Sequence, residues 1–386
     1  MTISLRHAAL AGIAVLAFVA PRARAADDTI KIGVPVPLSG SYANAGQDIL
    51  NGAKLAADDI NAKGGVLGKK IEIVGEDDAC DAQTAVQAAQ KLIDAGVVAV
   101  AGGYCSSAAL PEATPFHRAG LAYVLDASTN PKLTQLGFND IFRTIGRDDQ
   151  QGPFAANFMA NALHARRAAV INDNTTYAKG LADATVAALK NEKVDVVYDD
   201  AITPGQMDYT PVLTRVAGLK PDVTYYTGYF SEAGLMVKEA RQINLPGHFM
   251  GGDGTNDPTL LKTAGAAADG MLITTAPLPQ FLSGARGFVD QYNKQFGRGP
   301  GPYSAYEYDA VGVTAQAIKD ANSSKPEAIV TALHNIKDYK GITGTIGFTP
   351  QGDRTTAAYI VIEVKNDQFV PYMRLNDQGQ WVSMQQ

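Results

Sequence analysis

The fold is decided by residues 97–107, VVAVAGGYCSS, which join an apolar run to two glycines, a tyrosine, a cysteine and two serines. The apolar run predicts a buried strand, and residues 108–119 predict a helix. The glycines allow a sharp turn, and the serines can cap the helix. The free N–H groups and positive dipole end of that helix suit a carboxylate. Because no base, metal ligand or activated nucleophile lies nearby in the sequence, the pattern predicts a corner that binds an anion without reacting with it.

Strands and helices alternate on both sides of this junction. Residues 30–35, 70–76 and 122–125 have strand patterns, and the helices between them indicate a parallel sheet with right-handed crossovers. The order of strand, glycine, tyrosine, small polar residues and helix recurs at residues 223–231. Two such units predict two lobes. Since ligands of open parallel sheets bind beyond the carboxyl ends of the strands, we expect a binding cleft between the lobes.

The remainder of the chain, from about residue 276, lacks parallel strands of its own. It has helical patterns at 283–296, 303–321 and 326–336, and hairpin-like strand patterns at 344–348 and 359–364. Helices without strands cannot form a third core. We therefore expect them to return and pack on the two lobes, so that the chain crosses between the lobes several times.

The first 25 residues predict a signal peptide. Arg6 and His7 precede an apolar run too short to span a membrane, and Ala23-Arg24-Ala25 has the form of a cleavage site. The alternative is a buried N-terminal helix. Cleavage removes three arginines and no acid, which changes the formal net charge from −6 to −9. Such an acidic, exported chain disfavours nucleic acid and anionic membranes as partners, and we expect a soluble periplasmic protein.

The sequence contains two cysteines, Cys80 and Cys105, and the second belongs to the junction described above. In an exported protein the expected state is a disulfide. That bond would hold the glycine turn in place. The alternative is a pair of buried free thiols.

Motifs for catalysis are missing from the sequence. Gly33-Val34-Pro35 stands where a dinucleotide fingerprint would follow the first strand, and no P-loop, G-x-S-x-G or H-E-x-x-H motif is found. The histidines that follow the signal segment are isolated and lack the spacing of metal ligands; they are His117, His164, His248 and His334. The acidic pairs at 77–78 and 148–149 are interpreted as caps and turn residues. The sequence therefore predicts a protein that is not an enzyme and needs no cofactor or metal.

A set of short motifs indicates a family. They are INAKGG at 60–65, DDACD at 77–81, CSS at 105–107, DQQGP at 149–153, YYTGY at 225–229 and FMG at 249–251. Taken together, they resemble the motifs of the periplasmic Leu/Ile/Val-binding proteins. These are the substrate-binding components of ABC importers, and the resemblance extends over essentially the whole mature chain.

This resemblance implies an α/β fold of the periplasmic binding protein-like I class, with two Rossmann-like parallel-sheet lobes joined by a three-strand hinge. Lobe 1 is then expected at residues 26–147 and 277–351, and lobe 2 at 148–276 and 352–386. The implied function is to bind an apolar amino acid, either branched-chain or larger and aromatic, by closing on it and to deliver it to an inner-membrane ABC permease. A monomer without cofactor is expected.

The resemblance also implies the binding residues. Ser106, Ala127 and Thr129 are expected to meet the α-carboxylate of the ligand, and Asp253 in the facing lobe its α-ammonium. Tyr177 and Tyr229 are expected to close the cleft, and the pocket for the ligand side chain is implied at Tyr42, Ala45, Tyr104 and Tyr303. The alternatives are that Ser106 only caps a helix and that Asp253 only forms a turn.

Two positions depart from the family pattern. The family often has glutamate where this chain has Asp253, so the ammonium contact can lie deeper or use a water. It places a large aromatic residue where this chain has Ala45, which predicts a roomier pocket for a larger apolar or aromatic amino acid. An aromatic acid, a short amide or urea is the alternative ligand. A receptor sensor domain and a Rossmann-type enzyme are the competing functional classes.

Overall fold

The computed structural model describes residues 29–385. The predicted signal peptide lies outside these residues. The described chain forms two open β-sheets with helices packed on them, and a separate two-stranded hairpin. We call the five-stranded sheet with its helices lobe 1 and the eight-stranded sheet with its helices lobe 2. The predicted α/β architecture with two lobes is confirmed.

Lobe 1 contains a parallel sheet in the order β2-β1-β3-β4-β5. Its strands are β1 Thr29–Val36, β2 Lys70–Asp77, β3 Ala99–Ala101, β4 Tyr123–Leu125 and β5 Ile141–Arg143. The helices that connect them are α1 Ala43–Ala62, α2 Ala82–Asp94 and α3 Ser106–Arg118. Ile32 and Val34 on one face of β1 are fully buried, and Gly33 and Pro35 on the other face are also buried, because helices cover both sides of a parallel sheet.

Lobe 2 has a parallel core with an antiparallel edge, in the order β15-β14-β13-β10-β9-β8-β6-β7. The parallel strands are β6 Arg167–Asn172, β7 Asp195–Ala201, β8 Val223–Tyr226, β9 His248–Gly251 and β10 Leu272–Thr275. The antiparallel strands are β13 Ile360–Lys365, β14 Gln368–Leu375 and β15 Trp381–Ser383. The helices are α4 Asp148–Asn157, α5 Thr176–Asn191, α6 Thr210–Gly218, α7 Phe230–Gln242 and α8 Pro258–Ala264.

The segment after β10 returns to lobe 1, whereas packing of its helices on both lobes was expected. It forms α9 Arg286–Phe296, α10 Ser304–Asp320 and α11 Pro326–Asn335. Helix α10 packs on α1 and against β3 and β4, and α11 packs on α10. The packing face of α10 includes Val311 and Ala310, which are fully buried. These helices therefore complete the lobe 1 core.

The predicted pairing of the last strands is wrong. Strand β12, Gly344–Ile346, pairs with β11, Tyr339–Gly341, in a hairpin of its own. The next strand, β13, instead pairs with β10 and β14 in lobe 2. The chain thus passes from one sheet to the other three times: after β5, after β10 and after β12.

Two buried arginines hold these crossings together. Arg143, at the end of β5, forms an ion pair with Asp353 at 3.2 Å. Arg354 donates to the Thr144 carbonyl at 2.6 Å. Both pairs join the first crossing to the third, about two hundred residues apart in the chain. The buried guanidinium groups are neutralised or hydrogen-bonded here, as burial of charge requires.

The predicted disulfide between Cys80 and Cys105 is present, with 5.4 Å between the two Cα atoms. It joins the turn before α2 to the residue before α3. Asp81 accepts hydrogen bonds from the backbone N–H groups of Gln83 and Thr84, so it caps α2. Among residues 29–385, no helix has the length and apolar character of a membrane span.

Candidate functional site

The junction between β3 and α3 places Ser106 at the start of a helix. Gly103 has φ of 108°, and a Cβ there would lie 2.6 Å from the Tyr123 hydroxyl oxygen, so only glycine fits this turn. Cys105 occupies the N-cap position, and Ser106 is the first helical residue. The Ser106 hydroxyl oxygen does not cap the helix but accepts the Asn130 backbone N–H at 3.3 Å. The interpretation of Ser106 as a simple helix cap is therefore wrong.

The loop after β4 lies beside this helix start. Its backbone is fixed by Arg143, which donates to the carbonyls of Ser128 at 2.8 Å and Asn130 at 3.1 Å. Ala127 and Thr129 in the same loop are buried. Within residues 29–385, the Thr129 hydroxyl makes no hydrogen bond of standard geometry, and the carboxyl whose pKa it lowers is that of Asp148. Hydroxyl and N–H donors thus converge at the end of the lobe 1 sheet, where a carboxylate would be bound.

Asp253 follows β9 in lobe 2, between two glycines. A Cβ at Gly252 would lie 2.9 Å from the Tyr177 hydroxyl oxygen, and one at Gly254 would lie 2.7 Å from the same ring. Glycine on each side therefore lets Tyr177 approach closely. Its hydroxyl donates to Asp253 Oδ1 at 2.7 Å, and the Gly254 N–H donates back to the hydroxyl at 2.9 Å. Asp253 is thus more than a turn residue.

Tyr303 reaches Asp253 from the other lobe. Its hydroxyl lies 3.0 Å from the Asp253 carbonyl oxygen and 3.3 Å from Oδ2. Asp253 is only 3% exposed, and burial raises the pKa of its carboxyl, while the hydroxyl groups of Tyr177 and Tyr303 act in the opposite direction. In the part of the chain that the structure describes, no lysine or arginine forms an ion pair with Asp253. A buried carboxylate without a cation favours binding of a positively charged ligand group.

Four tyrosines line the cleft and form what we call the tyrosine belt: Tyr104, Tyr229, Tyr177 and Tyr303. The ring centroids of Tyr104 and Tyr303 are 5.5 Å apart, those of Tyr104 and Tyr229 5.6 Å, and those of Tyr177 and Tyr229 5.1 Å. Asp253 joins Tyr177 to Tyr303 and closes the circuit. The structure therefore brings these predicted residues together across the two lobes.

Tyr42 and Ala45 lie beside the belt on lobe 1. The Tyr42 ring is half-buried and lies 4.8 Å from that of Tyr229 and 6.1 Å from that of Tyr104. Ala45 is buried in the first turn of α1. Tyr42, three residues before Ala45, thus supplies an aromatic ring at this side of the cleft.

Three polar residues near the cleft were not predicted to belong to it. Asn44 donates to both carboxylate oxygens of Asp257 at 3.2 and 3.1 Å, and Asn130 donates to the Thr176 carbonyl at 2.7 Å, so each asparagine joins the lobes. Asp148 is fully buried, and its carboxylate oxygens make no hydrogen bond of standard geometry within residues 29–385, although the Thr129 hydroxyl lies near enough to lower the pKa of this carboxyl. Its side chain is not the helix cap that we predicted.

Electrostatics connects Asp148 to the site. Burial raises the pKa of Asp148 well above its usual range, and the nearby charge of Asp253 acts in the same direction. Two buried carboxyl groups in one region favour a protonated state of one of them. The only sequence signal for Asp148 was its position next to Asp149, which pairs with Arg147 on the surface.

Comparison with known proteins now identifies the family. The sequence model of the periplasmic binding proteins matches residues 29–368. The chain belongs to the periplasmic binding protein family. It is 35% identical over 349 residues to the leucine-specific-binding protein of Salmonella typhimurium, which covers 89% of this chain and 92% of that protein.

Two further relatives agree with this result. The binding protein is 34% identical over 337 residues to an amino acid binding protein of Pseudomonas aeruginosa, covering 86% of this chain and 90% of that one. The crystal structure of a leucine-binding protein from Thermotoga maritima matches with a TM-score of 0.85 and 29% identity, over 90% of this chain and 99% of that chain. The predicted family and its non-enzymatic class are confirmed, and the relatives named here are amino acid or leucine binding proteins.

Proposed function

We propose that this binding protein carries an amino acid to an inner-membrane ABC permease and holds the ligand between its lobes. In this proposal Asp253 of lobe 2 binds the α-ammonium, and Ser106, Ala127 and Thr129 of lobe 1 bind the α-carboxylate. The observation that carries it is the buried Asp253 carboxylate, which has no cation partner among residues 29–385 and lies across the cleft from neutral donors. A zwitterion complements both sides.

Hinge closure is part of the proposal. Because the two charged ends of the ligand contact different lobes, binding favours the arrangement in which the lobes meet. The hydrogen bonds from Tyr303 to Asp253 and from Asn44 to Asp257 link the lobes in that arrangement. We propose the lobe boundaries given above, a monomeric state and recognition of the closed surface by the permease.

Export through a cleaved signal peptide completes the proposal. Intact-mass measurement of protein recovered from the periplasm is expected to place the mature N-terminus near Ala26. A mass that includes residues 1–25 contradicts cleavage without affecting the binding site.

The decisive experiment is calorimetric titration of ligand-stripped protein with common amino acids, comparing the wild type with Asp253→Asn. Loss of one partner of a buried charge pair costs about 2–5 kcal/mol, so we expect at least about 30-fold weaker binding. Asp200→Asn, an exposed acid in the same lobe, is the matched control and should bind as the wild type does. Unchanged binding by Asp253→Asn removes this residue from the site.

The competing ligand class is an acid, amide or urea without an α-ammonium. Competition with des-amino analogues separates the two classes, because an analogue without the ammonium cannot satisfy Asp253. We expect each analogue to bind much more weakly than its amino acid. An analogue that competes equally well supports the alternative ligand.

A further inference from the structure

We infer that the preferred amino acid of this protein has a small side chain, such as the hydrogen of glycine, the methyl group of alanine or the hydroxymethyl group of serine. This inference rests on the proposed function, because it concerns which amino acid enters the same site. It separates this protein from a carrier for leucine, isoleucine or valine.

The tyrosine belt is closely packed. Three of its neighbouring ring pairs have centroids 5.1–5.6 Å apart, which is within the range of direct aromatic contact, and Asp253 joins the fourth pair, Tyr177 and Tyr303. Tyr42 closes the outer side, with its ring 4.8 Å from that of Tyr229 and 5.8 Å from that of Phe230. Rings in contact leave no room between them for a branched aliphatic group. The side chain of a ligand held at Asp253 must therefore fit inside this belt.

The belt is also held in place at several points. The hydroxyl groups of Tyr177 and Tyr303 are anchored on Asp253. Tyr104 follows a turn that requires Gly103, and the disulfide at Cys105 fixes the next residue. All four belt residues are at most 4% exposed. Rotating one ring away thus disturbs its neighbours, as in any closely packed interior.

Separating the lobes is the other way to admit a larger side chain. That movement breaks the contacts that join them, namely Tyr303 to Asp253 and Asn44 to Asp257. A leucine side chain therefore either overpacks the belt or prevents closure. Overpacking of a well-packed interior weakens affinity by about tenfold to a hundredfold.

Lobe 1 supplies the aromatic residues that reduce the space for the ligand side chain. Tyr42, Tyr104 and Tyr303 all come from this lobe, and all three rings face Tyr229 or Asp253 of lobe 2. The expectation of a roomier pocket depends on Ala45, which stands where the family has a large aromatic residue. The Tyr42 ring offsets the small size of that alanine, because it packs on Tyr229 from the same side of the cleft.

The test is a calorimetric titration series with glycine, alanine, serine, valine, leucine and phenylalanine, using protein stripped of bound ligand. We expect the tightest binding among the first three, with alanine at least about tenfold tighter than leucine. Tighter binding of leucine or phenylalanine than of alanine overturns this inference and leaves the proposed function intact. Absence of binding by every amino acid contradicts both.

Two variants are used, so that the test remains valid if one of them does not fold. The first variant is Tyr104→Ala, and the second is Tyr42→Ala, at a residue that is only half-buried. Each removes one aromatic ring, and we expect leucine to bind to each variant at least about tenfold more tightly than to the wild type. Tyr198→Ala is the control, since Tyr198 lies on β7 under Arg215. If leucine affinity stays unchanged in folded Tyr42→Ala and Tyr104→Ala, these rings do not limit the side chain and the inference is wrong.

Discussion

Two similar junctions face each other across the cleft, one at residues 97–107 in lobe 1 and one at 223–231 in lobe 2. Both connect a buried strand through glycine and tyrosine to a helix, and their tyrosines, Tyr104 and Tyr229, are in ring contact. In lobe 1 the helix begins with Ser106 after a disulfide-bonded Cys105. In lobe 2 Tyr229 is the N-cap and Phe230 begins the helix. The same local pattern thus ends in a hydroxyl in one lobe and in an aromatic ring in the other.

This difference gives the two lobes opposite roles. The start of α3 offers a hydroxyl and backbone N–H groups to an anion. The start of α7 is covered, because Phe230 packs edge-on against Tyr42 of lobe 1. Lobe 2 instead supplies its charged group at the end of the next strand, at Asp253. In the proposed site, this difference would allow a zwitterion to bind in only one orientation.

The largest expected effect is on stability, and it follows from removing the Cys80–Cys105 disulfide, which has no counterpart at the lobe 2 junction. The paired variant Cys80→Ser and Cys105→Ser opens a loop with a sequence separation of 25 residues. The chain-entropy model predicts a loss of about 3.5 kcal/mol in the free energy of unfolding. Urea denaturation of the variant and the wild type measures it. An unchanged midpoint shows that the disulfide does not stabilise lobe 1.

A smaller effect, on ligand affinity, is expected to distinguish the start of α3 from the start of α7. Ser106→Ala removes a hydroxyl expected to bind the ligand carboxylate, and hydrogen bonds to charged groups contribute about 1.5–3 kcal/mol. We expect amino-acid affinity to fall about tenfold or more, with the thermal midpoint of the free protein nearly unchanged.

Ser231→Ala is the matched control for this prediction. Ser231 is the second residue of α7, and its hydroxyl donates to the neighbouring Glu232. Its replacement should change affinity by less than about twofold, since Glu232 accepts this bond within lobe 2. Equal losses in both variants would show that the two junctions do not differ in function.

The two lobes also differ in how their buried acidic residues are hydrogen-bonded. In lobe 2 Asp173, after β6, accepts the Thr175 N–H at 3.0 Å. In lobe 1 Asp126, after β4, and Glu307 of α10 are fully buried, and none of their carboxylate oxygens has a hydrogen-bond partner within residues 29–385. Burial raises the pKa of Glu307 well above its usual range, and the charge of Asp126 adds to this.

A raised carboxyl pKa means that the folded protein keeps a proton that the unfolded chain releases. The free energy of unfolding therefore falls as pH rises above the ordinary glutamate pKa of about 4.3. Glu307→Gln removes this site, so we expect a shallower fall between pH 5 and 8, by at most about 1.4 kcal/mol per pH unit. Urea denaturation at several pH values measures the slope, with exposed Glu327→Gln as control. An identical slope in both variants contradicts the prediction.

The junction in lobe 1 was predictable because its signals are local. Glycines before a tyrosine and two serines predict a strand, a turn and a helix, although α3 begins at Ser106, two residues before the predicted start. Helix α4 begins at Asp148, in the acidic pair that was interpreted as caps and turn residues. The two acidic residues there suit the first turn of a helix as well as a turn, so the pattern alone did not distinguish them.

Pairing between distant segments was harder to predict. The short strand β11 is only half-buried and has no clear alternation, so nothing in its sequence identified it as the partner of β12. Asn44 and Asn130 were missed for a related reason. Each donates to the opposite lobe, and an asparagine in the first turn of a helix or in a loop has no pattern that reveals a partner in another part of the chain.

By itself the sequence determined the order of strands and helices, the glycine turns, the cysteine pair and the family, because these depend on short-range periodicity and short motifs. Only the tertiary structure decided that Tyr303 reaches Asp253 across 50 residues of chain and that Tyr42, Tyr104 and Tyr229 form one aromatic cluster. The physical reason is that the size of the cleft is set by side chains from different lobes in contact. Their distances depend on how the lobes pack, which no local pattern records.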